Sequence, residues 1–290
     1  MTEIKIGNFN DLTIVKEVDF GLYLDGGEPW GEILLPRRYM PKRYAVGETL
    51  NVFIYTDSED RIIATTETPK AKVGEFACLK VVYVTPIGAF LDWGLTKDLL
   101  MPLGEQKREV QVGETCIVAV YLDVETNRVA ASARLSQFMN QTPAAYETGE
   151  AVSLLICNKT ELGYRAIINS AHWGVIFESD VFEPLKVGST KRGYIKRVRE
   201  DGKIDLILHK PGYEKVDDFS ELVLEKLQAE GGFLALTDKT EPELIYEMFG
   251  VSKKTFKKAV GALYKKRRIV IEENGIRLID GDMLPEEGQT

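Results

Sequence analysis

From Phe76 to Val84 the chain is a nearly unbroken β-branched and aromatic run, and it stops at the turn sequence Thr85-Pro86-Ile87-Gly88. Apolar residues resume from Ala89 to Trp93 and again at Leu99-Leu100-Met101. After a polar loop from Gly104 to Val110 they return from Thr115 to Leu122 and, past a turn at Asp123 to Asn127, from Arg128 to Ala133. Runs this short, bounded by Gly, Pro, Asp and Asn, predict strands. Five of them in about 65 residues, with no helical spacing between, predict a small closed barrel, because closure removes the edges that short strands would leave unpaired.

That unit recurs. Val-Gly-x-Thr stands at Val46-Gly47, Val112-Gly113 and Val187-Gly188, with the glycines 66 and 75 residues apart. An earlier glycine (Gly7, Gly74, Gly149) and a turn glycine inside an apolar run (Gly21, Gly88, Gly163) both repeat at spacings of 67 and 75. Three landmarks holding one period predict three copies of one fold. The copies resemble the S1 domain, an RNA-binding OB barrel. Its pattern of a Lys-Val strand, aromatics around a turn glycine, a valine-glycine pair and a basic residue after the last strand is met best by Lys80-Val81, Gly88-Ala89-Phe90, Val112-Gly113 and Ala131-Ser132-Ala133-Arg134. Barrel one offers Phe20-Gly21-Leu22-Tyr23 and barrel three Leu162-Gly163-Tyr164-Arg165. Against the S1 pattern, the histidine position reads Leu35, Met101 and Phe177, the first aromatic survives only as Phe20 beside Ile87 and Leu162, and the last basic position is Glu67, Arg134 and His209.

Beyond Pro211-Gly212 the period changes to that of helices. Asp218-Phe219-Ser220 reads as a start, with Asp218 or Ser220 as cap and Leu222, Val223 and Leu227 as the apolar face, ending at Gly231-Gly232. Thr240 begins a second helix with Leu244, Ile245 and Phe249, and Ser252 caps a third with Phe256, Val260, Leu263 and Tyr264. A hairpin over Ile269–Glu272 and Ile276–Ile279, turning at Asn274-Gly275, completes a winged helix. The fold class expected is therefore mainly β with a C-terminal α+β domain: S1-like OB barrels over 1–68, 69–138 and 146–211, a winged helix-turn-helix domain over 217–280 and an acidic, unstructured tail over 281–290. This order resembles the conserved virulence factor B family, which implies a cytoplasmic bacterial RNA-binding protein acting on gene expression after transcription.

Composition sharpens the picture. The net charge of −8 argues against a surface coated for nucleic acid, yet Lys253, Lys254, Lys257, Lys258, Lys265, Lys266, Arg267 and Arg268 give an acid-free segment of +8 and leave −16 for the rest. Lysines in such a run suit phosphate contact better than base readout; a solvated charged face is the plain alternative. Elsewhere recognition must lean on stacking. Alternation in the strand after each turn glycine sends Tyr23, Phe90 and Arg165 outward, where aromatic rings or a guanidinium plane can stack unpaired bases. Phe20, Phe177, Lys80 and Arg134 are the neighbours expected to join them. Trp30, Trp93 and Trp173 read as packing anchors, and Cys78, Cys116 and Cys157 as reduced, buried thiols.

Two histidines, His172 and His209, and the absence of Cys-x-x-Cys, Walker A or nucleophile-elbow motifs give no sign of an enzyme, cofactor or metal site. No apolar stretch approaches membrane-spanning length, and no secretory signal pattern opens the sequence, so no membrane partner is expected. The expected partner is single-stranded RNA, with duplex nucleic acid as a second substrate of the winged helix. Three other readings stay open: an adaptor that recruits the ribosome or RNA-degrading machinery, a DNA-binding transcription regulator, and a nuclease.

Overall fold

Strand β1 (Phe9–Val18) turns Leu12 and Ile14 inward and Thr13 and Lys16 outward, the alternation of a half-buried strand. The structure is a computed structural model in which residues 4–181, 185–208, 215–249, 251 and 253–279 are described. With β2 (Gly21–Asp25), β3 (Glu32–Pro36), β4 (Thr49–Thr56) and β5 (Ile62–Thr65), β1 closes a barrel of order β1-β2-β3-β5-β4. Barrel two repeats the pattern with β6 (Phe76–Thr85), β7 (Gly88–Asp92), β8 (Leu99–Pro102), β9 (Thr115–Asp123) and β10 (Arg128–Ser132). Barrel three does so with β11 (Ala151–Thr160), β12 (Gly163–Ile168), β13 (His172–Phe177), β14 (Thr190–Val198) and β15 (Ile204–Ile207). Barrels one and three are closed by a parallel pair, β3 with β5 and β13 with β15. In barrel two the matching strands β8 and β10 form no ladder, and the seam is joined by the Ala133 amide donating to the Glu105 carbonyl at 2.9 Å.

The repeated glycines now have causes. A Cβ on Gly21, Gly88 or Gly163 would lie 2.2, 2.3 or 2.2 Å from the carbonyl oxygen of Leu35, Met101 or Ile176, so only glycine lets the second strand leave its hairpin so close to the third. The Val-Gly glycines hold φ near +90° and donate to one carbonyl in the first strand of each barrel: Gly47 to Ile14, Gly113 to Val81 and Gly188 to Ile156, at 2.8, 2.9 and 2.7 Å. Gly7, Gly74 and Gly149 donate in the same way to Ile54, Val120 and Ile195. At the accepting carbonyls the first strand breaks register, between Ile14 and Lys16, Val81 and Tyr83, and Ile156 and Asn158. Each is a bulge that bends the strand around the barrel.

Barrels one and two share a core. Val52 to Thr56 of β4 are all buried: Val52 and Ile54 face barrel one, while Phe53 and Tyr55 pack on Trp93 of barrel two. Trp93 is 2% exposed and meets Phe53 edge-on at 5.8 Å. Polar contacts frame the joint: Tyr39 Oη to Thr96 Oγ1 at 2.8 Å, Lys97 Nζ donating to the carbonyls of Thr56 and Asp57, and an Arg128–Asp60 ion pair. The joint between barrels two and three buries Leu155, Cys157 and Ile167 against Ala119, Leu135 and Met139. Cys157 is buried as the sequence suggested, whereas Cys78 and Cys116 are half-buried. In contrast with β4, β14 carries Lys191, Arg192, Lys196 and Arg197 exposed.

The C-terminal domain is α1 (Lys215–Ala229), β16 (Phe233–Leu234), α2 (Pro242–Phe249), α3 (Lys253–Lys265), β17 (Ile269–Glu272) and β18 (Gly275–Leu278). Helix α1 starts three residues before Asp218 and five before Ser220, the two expected caps, so Ser220 lies buried inside the helix. Its buried face is Phe219, Val223, Leu224 and Leu227, and the Gly232 amide closes its end on the Leu227 carbonyl at 2.7 Å. Leu222, Leu244 and Tyr264, expected inside, are 38%, 44% and 55% exposed, because each sits one residue off the i, i+4 seam that the core uses. The hairpin turns at Glu273-Asn274, one residue earlier than expected, since Glu272 pairs with Gly275, and β16 adds an unforeseen third strand beside β18. His209, the Ser252 cap and the tail over 281–290 lie outside the described residues.

Replacing Trp93 with Ala empties the joint between barrels one and two. It is expected to cost about 3–5 kcal/mol of stability, read from the urea midpoint of the full chain, whereas a loss under about 1 kcal/mol would show that the barrels do not depend on their shared core.

Candidate nucleic-acid interface

Strand register brings the same three stations together on the outside of every barrel. In barrel one they hold Lys16, Tyr23 and Leu34, in barrel two Tyr83, Phe90 and Leu100, and in barrel three Asn158, Arg165 and Val175. The bulge of the first strand sets the first station. Tyr23 is half-buried, with Lys16 Nζ 4.8 Å from its ring centroid and the Phe20 ring edge-on at 6.2 Å. Lys16 also pairs with Glu32 at 2.6 Å.

In barrel two, Tyr83 lies flat on Phe90, with centroids 4.3 Å apart and planes 14° apart. One face of Phe90 is thereby occupied, and Tyr83, 42% exposed, is the outer ring of the pair. Tyr83 was not singled out in the sequence, because the bulge after Val81 defeats simple alternation; its β-branched surroundings gave no other signal. Lys80 is exposed and pairs in register with Asp92, which Lys70 holds at 2.6 Å. The Lys70 hydrogen bond keeps the Asp92 carboxyl below the usual range, while burial pushes Asp98 up. Arg134 is exposed, with Nε donating to the Gly104 carbonyl at 2.7 Å.

In barrel three the guanidinium of Arg165 lies 3.7 Å above the Trp173 ring centroid. Trp173 is thus both an anchor in the joint with barrel two and the bed of an exposed arginine. Phe177 differs from expectation. It pairs with Gly163, as Pro36 pairs with Gly21 and Pro102 with Gly88, so it belongs with the prolines and not with Leu35 and Met101. Their true counterpart is Ile176, and all three are fully buried. A one-residue shift in a strand exchanges inside for outside. Phe177 is half-buried beneath Arg199, at 5.5 Å. Arg199 and Arg197 both grip the buried Asp205, at 2.7 and 2.6 Å. Burial pushes the Asp205 carboxyl up, but the two arginines outweigh it and hold it below the usual range. At the hairpin tips Phe20, Ile87 and Leu162 share one station and are 56%, 62% and 64% exposed.

On the winged helix, Lys257 and Lys258 are exposed on α3, which also carries Lys254, and Lys253 is half-buried at its start. Lys257 Nζ stands 3.9 Å from Asp238. Lys265, Lys266, Arg267 and Arg268 are all exposed around the end of α3, where cations also favour the helix dipole.

Fold and surface together define a class: tandem S1-type OB barrels ending in a winged helix, a set of domains that supports nucleic-acid binding. Family models agree. The S1 domain matches residues 6–67 and 73–132, and the CvfB-like winged helix domain matches 221–278. The winged helix is thus of the CvfB-like type and the first two barrels are of the S1 type, and the chain is similar over most of its length to proteins named conserved virulence factor B. It is 29% identical over 273 residues to the Bacillus subtilis protein YitL, covering 91% of this chain and 90% of that one. With conserved virulence factor B of Staphylococcus epidermidis it shares 25% identity over 243 residues, 81% of each. A crystal structure of a multidomain protein with nucleic acid binding domains from Streptococcus pneumoniae is 23% identical, covers 94% of this chain and 98% of that one, and superposes with a TM-score of 0.43.

Asp205 has a depressed carboxyl in the folded chain, so its contribution is complete above the ordinary Asp value of about 3.9 and disappears as pH falls below it. Asp205→Asn is therefore expected to lose less stability than the parent when pH is lowered from 5 to 2.5. Parallel curves in thermal unfolding would refute the pairing.

Proposed function

We propose that the chain binds single-stranded RNA along the outer faces of its barrels and through the basic end of its winged helix. On this reading it acts after transcription, in the cytoplasm, as a binding protein and not as an enzyme. The observation that carries the reading is the repeated outward station. In barrels one and two it holds Tyr23 beside Phe20, and Phe90 beneath Tyr83; in barrel three it holds a stacked arginine. Rings and guanidinium planes accept bases of any sequence and do so on a protein of net charge −8. Lys80 and Arg134, both exposed on barrel two, suit phosphates. Lysines and arginines from Lys253 to Arg268 supply a second, phosphate-directed contact, which duplex nucleic acid could also use. The site roles of Phe20, Tyr23, Lys80, Phe90, Arg134, Arg165 and Phe177 belong to this proposal.

An adaptor role that recruits a ribosome or nuclease is favoured by one feature. Val82, Tyr83, Val84, Ile87 and Leu103 leave an apolar ridge on barrel two, each 41% to 62% exposed. Protein docking and base stacking on that ridge have different signatures. For stacking, Tyr83→Ala with Phe90→Ala should weaken a labelled 20-nucleotide RNA by about 1–3 kcal/mol per lost base contact, with little change in salt dependence. Neutralising Lys257, Lys258, Lys265 and Arg268 should instead flatten the salt slope, by about 0.7 for each phosphate released. Absence of RNA binding by the intact chain would overturn the reading and leave the ridge to a protein partner.

A further inference from the structure

Between barrels two and three runs an open groove of about 400 Å³, within the range of about 300–1,000 Å³ typical of small-molecule sites. Its lining includes Lys107, Arg108 and Arg165, together with Asn158, Ser136 and Thr115. No aspartate or glutamate lines it, although the chain as a whole is acidic. Arg108 is tied to Glu114 at 2.9 Å just outside, while Lys107 is exposed and makes no salt bridge among the described residues. Arg165, an exposed residue, reaches the groove from barrel three with one face of its guanidinium on Trp173.

Convergence of these cations is visible in a neighbour. Cys157 is the bulge residue of β11 and lies in the wall of the groove. Burial drives its thiol up to about 12, and Arg165 and Lys107, from different barrels, both act to lower it. Both cations line this one groove, one from each barrel. The joint is fixed by the packing of Leu155, Cys157 and Ile167 on Ala119, Leu135 and Met139, so the groove exists before any ligand arrives.

We propose that this groove is a nucleoside-phosphate site, with the phosphate between Lys107 and Arg108 and the base laid on the Arg165–Trp173 stack. It takes either one unit of a single strand crossing from barrel two to barrel three or a free nucleotide. The first form rests on the RNA-binding reading above and the second does not.

The test uses the full chain, a fluorescein-labelled 20-nucleotide single-stranded RNA and ADP. Lys107→Ala combined with Arg165→Ala should weaken RNA binding at least tenfold while the thermal midpoint stays near that of the parent, since both side chains are exposed; should the pair fail to fold, Lys107→Ala alone carries the test with a threefold or greater loss. A double variant that binds RNA within twofold of the parent, while Tyr83→Ala with Phe90→Ala still weakens it, overturns the groove together with the Arg165 station and leaves RNA binding to the other barrels and the winged helix. If the parent binds no RNA, that reading fails and calorimetry with ADP decides the groove. ADP binding that is lost in the double variant supports a free-nucleotide site, and no ADP binding by the parent overturns the groove as well.

Discussion

Burial of single strands on both faces is the constraint from which the rest of this molecule follows. A barrel this small has one inside, yet β4 sends Val52 and Ile54 into its own barrel and Phe53 and Tyr55 into the next. In β11 the same division sends Leu154 and Ile156 inward and Leu155 and Cys157 toward barrel two. Apolar surface shared in this way is removed from water only while neighbours stay docked, and that turns three repeats into one body. The directions in which Tyr23, Phe90 and Arg165 point are then set by the joints as much as by each barrel.

Within that body a common backbone is held by a common device. A bulge bends the first strand, a glycine beside it accepts a positive φ, and a second glycine lets two strands approach to a distance that a methyl group would forbid. Because these groups are backbone and glycine, they leave the outward side chains free to differ. The three stations accordingly present a lysine with a tyrosine, a pair of stacked rings, and an asparagine with an arginine. One scaffold thus offers three chemistries in series.

Much of this was legible in the residues. Periodic glycines gave the three copies, β-branched runs gave strands of barrel two to within a residue or two, and helical spacing gave the winged helix. What alternation misses is any position where a strand departs from strict pairing. Tyr83 lies just past a bulge, so its place on Phe90 could not be counted out from Phe76. Phe177 was put one residue out of step, because Glu178 begins a short helical turn and no residue in the sequence marks the end of β13. In the helices, Leu222, Leu244 and Tyr264 are apolar enough for a core but fall beside the seam. The groove between barrels two and three needed Lys107 and Arg165, 58 residues apart, to be seen in one place.

The character of β14 says where the series ends. Its counterpart β4 offers an apolar outer row to the next copy, while β14 offers Lys191, Arg192, Lys196 and Arg197. In stacked repeat proteins the last unit must finish in water, and a polar outer surface is how it does so. Barrel three is thus written as a terminal cap: a fourth barrel could be added to this chain only by first rewriting the strand on which it would sit.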